Sequence, residues 1–381
     1  MSSEVKVGVP ALSTELCGVR FQNPVWTASG CFGYGREFAP IFPLSSLGAI
    51  CVKGTAPTPW VGNSGTRVTE TPGGMLNAIG LQNPGVDHFL NVDWPWLQEQ
   101  GATVIVNIVG RTIDEYVEVA RRLEGSGVAG LELNISCPNV KEGGIAFGTS
   151  LEGAQAVTAA VRAATSLPLL VKLSPNVTSI VDFAQAVEAA GADAVTLINT
   201  LVGMEIDINR KRPVLGNVVG GLSGPAVKPV ALRMVWQVAG AVSIPVVGIG
   251  GIATWQDAVQ FLLAGARAIQ VGTACFYNPK APVEIIEGLA AYMEREGVRS
   301  LDELIGAARP DFARIRSLPT GRRSTSASPF QTLGDAGALC DPVTGICEVP
   351  GATPAVPKAP SKATGEAADA LRQWIKDSDR F

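Results

Sequence analysis

Short runs of β-branched and aliphatic residues recur from about residue 23 to residue 305, and stretches with helically spaced apolar positions lie between several of them. The runs predict eight strands: Val25–Ala28, Ala49–Lys53, Thr103–Ile108, Gly130–Ile135, Leu169–Leu173, Ala194–Ile198, Pro245–Ile249 and Ala268–Val271. Helices are expected over Asp114–Leu123, Leu151–Ala164, Ser179–Ala190, Pro225–Ala239, Thr254–Ala264 and Pro282–Glu296. Strands separated by crossover helices make a parallel sheet, and eight such units close into a (β/α)8 TIM barrel of the α/β class. A doubly wound open sheet is the structural alternative. No strand-linked GxGxxG opens a helix here, which counts against a dinucleotide-binding version of it.

The connections are uneven. Leu12–Gln22 reads as an N-terminal β-hairpin that could plug the barrel bottom. Residues 54–99, rich in Gly, Pro, Asn and Trp, and residues 199–224 are long enough to read as functional lids. Composition shifts after about residue 306, and eight of the 26 prolines lie between Pro310 and Pro360. The expected division is therefore a catalytic barrel over 1–306 and a largely unstructured Pro-, Ala- and Ser-rich tail over 307–381. Within that tail, Glu366–Lys376 could form a short terminal helix carrying Trp374.

At 381 residues, 46% hydrophobic and with a net charge of −4, the chain is globular rather than disordered. It lacks the basic excess of a nucleic-acid binder, and no apolar run approaches the ~18 residues of a membrane span. The start, MSSEVKVGVP, has neither the basic region nor the apolar stretch of a signal peptide, so a cytoplasmic protein is expected. Seven cysteines without a CxxC pair suggest buried thiols or one reactive thiol, not a disulfide framework. Cys340 and Cys347 are two ligands short of a metal or iron–sulfur site, and no metal is expected. His88 is the single histidine, which rules out histidine triads and leaves acid–base work to another residue type.

Barrel active sites form where strands end. Those positions hold Ser29-Gly30, Lys53-Gly54, Asn107, Asn134, Lys172, Asn199-Thr200, Gly250-Gly251 and Gly272-Thr273. Asparagine and glycine also terminate strands for purely structural reasons. Lys53, Asn107, Asn134 and Lys172, however, close otherwise apolar runs, and a buried lysine is costly without an anion or a hydrogen-bond network. Gly250, Gly251, Gly272 and Thr273 follow strands seven and eight, where barrels bind phosphate through bared backbone amides. Tight packing turns would look the same.

In LELNISCPNV (131–140), alternation puts Glu132 and Asn134 on one strand face, and Cys137 follows in the loop over the barrel mouth. A thiol with a reference pKa of about 8.5 suits proton transfer near neutrality after modest tuning. Asn77, Asn83, Asn134, Asn139 and Asn199 offer paired donors and acceptors without charge, which suits the edge of a cyclic amide or imide.

Eight motifs occur in order: NPVWTASGCFGYG (23–35), VKGTAP (52–57), LNAIGLQNPG (76–85), LELNISCPNVKEGGIAFGT (131–149), VKLSPN (171–176), INTLVGM (198–204), GGLSGPAVKPVALRMV (220–235) and GIGGI (248–252). From about residue 12 to residue 305 the chain resembles the class 1 dihydroorotate dehydrogenases. SCPNVKEGGIAFGT and NTLVGM…GGLSGPA point to the 1B branch, which works with an electron-transfer subunit.

The resemblance implies FMN on the barrel top and oxidation of (S)-dihydroorotate to orotate in pyrimidine biosynthesis. It places Ser29, Lys53, Gly54, Asn107, Asn134, Lys172, Ile198, Gly224, Gly250, Gly251, Gly272 and Thr273 at FMN. Lys53, Asn77, Ala78, Ile79, Gly80, Leu81, Asn134, Asn199 and Thr200 would hold the substrate. Cys137 matches the catalytic base that removes the C5 proton while hydride leaves C6. The 1B likeness further implies FAD and a 2Fe–2S cluster on a separate partner subunit passing electrons to NAD⁺, around a homodimer core in a heterotetramer. Direct use of fumarate, as in the 1A branch, a dihydropyrimidine dehydrogenase fragment, and a non-redox phosphate-binding barrel are the other readings.

Overall fold

Eight apolar runs become eight parallel strands: β1 (Val25–Thr27), β2 (Ala49–Thr55), β3 (Val104–Ile108), β4 (Gly130–Asn134), β5 (Leu169–Lys172), β6 (Ala194–Leu197), β7 (Val246–Ile249) and β8 (Ala268–Val271). They pair in sequence order and close, β8 against β1, into a barrel. The computed structural model describes residues 11–136, 147–318 and 320–321, with the backbone alone at 339–340 and 347–348. Nearly every strand residue is buried, because one face of each strand looks into the barrel and the other meets a helix.

The outer helices start where the sequence places capping residues. The hydroxyls of Thr112, Ser150, Ser179 and Thr254 each accept from the amide three residues on, opening Ile113–Leu123, Leu151–Ala164, Ile180–Ala189 and Trp255–Leu263. Such a cap is worth about 1 kcal/mol. Among the described residues no helix is long and apolar enough to cross a membrane.

Height along the barrel axis sorts the interior. At the bottom, the hairpin Thr14–Leu16/Val19–Phe21 inserts Leu16 and Phe21 into a buried cluster with Trp26, Ala49, Ile105, Leu170, Val247 and Ala268. The expected plug is therefore present. Above it the inward residues turn polar, and the top carries a lid. The two long connections meet there as one four-stranded antiparallel sheet, ordered Leu201–Met204, Val219–Ser223, Gly74–Asn77 and Val68–Thr71.

The chain divides into two units, Met1–Ser326 and Ala327–Phe381. Packing against the first unit continues past residue 306. Phe312–Arg316 is helical, Ile315 is buried, and Leu318 packs on the core. The Arg309 guanidinium, itself buried, donates to the carbonyls of Trp236 and Ala264 and pairs with Asp311 at 2.8 Å. In the second unit, Leu339–Cys340 pairs antiparallel with Cys347–Glu348. The helix expected over Glu366–Lys376 lies outside the described residues.

Removing the Ile315 side chain tests this packing. Ile315→Ala should cost about 2–5 kcal/mol and lower the melting temperature by roughly 5–10 °C. An unchanged melting curve would show that the segment does not seal the barrel in solution.

Candidate active site

The polar middle of the barrel is organised around one carboxylate. Glu132, on β4, is fully buried. Its Oε1 accepts from Asn107 Nδ2 on β3 at 2.6 Å, Cys51 Sγ on β2 at 3.3 Å and Lys172 Nζ on β5 at 3.4 Å. Its Oε2 accepts from Gln270 Nε2 on β8 at 2.7 Å. Burial pushes the carboxyl up, but the Lys172 charge and the bonds from Gln270, Asn107 and Cys51 outweigh it and hold Glu132 below the usual carboxylate range.

A chain of donors runs upward from this group. Asn134 Nδ2 donates to Asn107 Oδ1 at 3.2 Å, Ser136 Oγ to Asn134 Oδ1 at 3.2 Å, and Asn199 Nδ2 to Ser136 Oγ at 2.8 Å. Tyr116 clamps the same strand end by donating its hydroxyl to the Asn134 carbonyl at 2.7 Å. Asn107, Asn134 and Asn199 are thus held with their amide planes set, each facing the barrel mouth.

The opposite side of the mouth is glycine-rich. Gly250 and Gly251 leave β7 with φ of +129° and +74°. A Cβ on Gly251 would lie 2.8 Å from both the Gly224 carbonyl oxygen and the Lys228 nitrogen, so glycine alone lets the lid base and the helix Lys228–Ala241 approach. Lys228 Nζ pairs with Asp257 at 2.6 Å, and Asp257 also closes the capping box with Thr254. Thr273 Oγ1 donates to Ser223 Oγ at 2.8 Å, tying the loop after β8 to the lid sheet. The short helix Ala274–Tyr277 follows directly.

Between these two sides lies a cavity of about 770 Å³, roofed by Met75, Asn77 and Leu222 from the lid. All twelve residues expected at FMN line it: Ser29, Lys53, Gly54, Asn107, Asn134, Lys172, Ile198, Gly224, Gly250, Gly251, Gly272 and Thr273. Asn77, Ile79, Gly80, Leu81, Asn199 and Thr200 line it as well. Ala78 does not. Its methyl packs with Leu76 and Leu215, on the side away from its cavity-facing neighbours Asn77 and Ile79. Cys137 and Asn139 lie outside the described residues.

Three features escaped sequence reasoning. Glu132 shares the Asn134 face, and a carboxylate inside the apolar run LEL has to be paired somewhere. Gln270 interrupts AIQV in the same way. Cys31 lines the cavity, and burial pushes its thiol up to about 11 against the lowering charges of Lys172 and Lys53. Cys31 therefore stays protonated near neutral pH. His88 sits away from the cavity, beside Asp93 at 3.5 Å.

The donor set suits a flat ligand with an amide-like edge and a phosphate tail. Lysine and amide groups wait at one end, bared backbone at the other, and the cavity is within the usual size range for such ligands.

The family model for dihydroorotate dehydrogenase matches residues 11–293. The "Dihydroorotate dehydrogenase B (NAD(+)), catalytic subunit" of Geotalea uraniireducens is 57% identical over 302 residues, covering 79% of this chain and 99% of that relative. The protein of the same name from Alkaliphilus metalliredigens is 54% identical over 296 residues, covering 78% and 98%. A crystal structure of DHODH from Eimeria tenella, in complex with ferulenol, superimposes with a TM-score of 0.66 at 22% identity, covering 81% of this chain and 92% of that one, a likeness of fold. With the barrel, its lid and a family match over most of the length, this chain belongs to the dihydroorotate dehydrogenase family.

Proposed function

We propose that the chain is the FMN-bearing catalytic subunit of an NAD⁺-linked dihydroorotate dehydrogenase, oxidising (S)-dihydroorotate to orotate in pyrimidine biosynthesis. One observation carries the reading: the lysines, asparagines and glycines that line the lidded mouth, Asn107 and Gly272 apart, belong to the family motifs, in a chain that covers 99% of one such subunit's length.

FMN, when bound, supplies the hydride-accepting ring. Lys172, Asn107 and Asn134 would hold its polar edge, and Gly224, Gly250, Gly251, Gly272 and Thr273 its phosphate. Lys172, paired with Glu132 at 3.4 Å, would tune the charge beside the group that reduction makes negative. Lys53 reaches the same cavity and would pair with the substrate carboxylate. Asn77, Asn134, Asn199 and Thr200 would hold the substrate ring by hydrogen bonds, with Ile79, Gly80 and Leu81 as the wall beside them and Ala78 turned away behind that wall. Because the floor amides are already fixed by one another, little reorganisation remains for the reaction.

Cys137, three residues after Asn134 in the chain, would take the C5 proton. Cys31, the described thiol in the cavity wall, is held too high to serve. The sequence carries no dinucleotide fingerprint, which fits electron disposal through a partner subunit with FAD and a 2Fe–2S cluster. A homodimer core within a heterotetramer, in the cytoplasm, completes the proposed assembly.

Three outcomes test this. The purified chain should be yellow and should oxidise dihydroorotate with an artificial dye, but with neither NAD⁺ nor fumarate until a partner is added; fumarate activity would move it to the 1A type, and a colourless protein to a non-redox barrel. Cys137→Ala should retain FMN while turnover falls by about 10²–10⁴, and wild-type turnover at every pH would remove Cys137 as the base. Gly251→Ala, strained at φ +74°, should weaken FMN retention about tenfold or more on dialysis; equal retention would place the phosphate elsewhere.

A further inference from the structure

We propose that Glu132 is the positioning residue of the site: its buried negative charge fixes which way the floor amides point and offsets the charge of Lys172 beneath the flavin. The inference rests on the reading that FMN occupies this cavity, and it concerns a residue outside the cavity lining.

A carboxylate can only accept, so Asn107 must turn its Nδ2 toward Glu132, at 2.6 Å. Its Oδ1 is then left facing Asn134, which must answer with its own Nδ2, at 3.2 Å. Asn134 Oδ1 consequently faces the amide and hydroxyl of Ser136, both at 3.2 Å. Asn199 closes the series by donating to Ser136 Oγ. Every bond points back to the same acceptor. Replace that acceptor with a group that can also donate, and the amides lose the reason for their orientation.

The charge argument is separate. Lys172 is buried, and its Nζ lies 3.4 Å from Glu132 Oε1. The pair is close to neutral as seen from the cavity, and because both side chains are buried a change in either member is weakly screened. Removing the negative partner leaves an uncompensated cation under a ring that becomes anionic on reduction. Reduced flavin, and adducts that place negative charge on the ring, should then be favoured.

The test compares holoenzyme carrying Glu132→Gln or Glu132→Asp with the parent. Sulfite, which adds to flavins and leaves negative charge on the ring, is the probe, alongside the FMN midpoint potential. Glu132→Gln should bind sulfite about tenfold more tightly and raise the midpoint potential by the equivalent ~30 mV. Glu132→Asp, which keeps the charge, should stay near the parent potential while its KM for dihydroorotate rises more than its kcat falls. An unchanged potential in Glu132→Gln that still holds FMN overturns the charge role. Loss of FMN from both variants reduces Glu132 to structural support and also overturns it. A parent protein with no flavin would instead sink the cofactor reading and leave the amide geometry untouched.

Discussion

Burying a carboxylate in the middle of a barrel costs several kcal/mol unless both of its oxygens find donors. Glu132 meets that condition with four donors, Cys51, Asn107, Lys172 and Gln270, drawn from four other strands. No single βα unit could supply them. The network exists only when the sheet is closed, so the same interaction that ties distant strands together also builds the floor of the cavity.

The rest of the molecule keeps that network dry and correctly spaced. Below, Leu16 and Phe21 of the hairpin fill the barrel's narrow end against Trp26 and Leu170, so water has no entry from the bottom. Above, the lid sheet joins residues 68–77 to 201–223 and hangs from β8 by the Thr273–Ser223 bond. Around the outside, Arg309 and Ile315 close the gap beside the helices Lys228–Ala241 and Trp255–Leu263.

The two ends of the cavity use opposite physics. The amide and lysine end works by charge and directed hydrogen bonds in a low-dielectric floor. The glycine end works by absence of side chains, since Gly251 has backbone atoms 2.8 Å from where its Cβ would be. A ligand with a polar ring and a phosphate tail would be read at both ends at once, which would give orientation as well as affinity.

Much of this was legible one residue at a time. Strand positions followed from apolar runs, helix positions from helically spaced apolar residues, and cavity residues from what stands at each strand's end, because these depend on local chain chemistry. Other features depend on closure and on contacts between segments far apart in the chain. Sequence placed Glu132 on the face of Asn134, but only the barrel brings Gln270, 138 residues away, to its second oxygen. The pairing of two loops into a lid, the outward turn of Ala78, and the docking of Ile315 past the compositional break were likewise settled in three dimensions. Local chemistry determines which residues can form the site; the register and curvature of the closed sheet decide which of them meet.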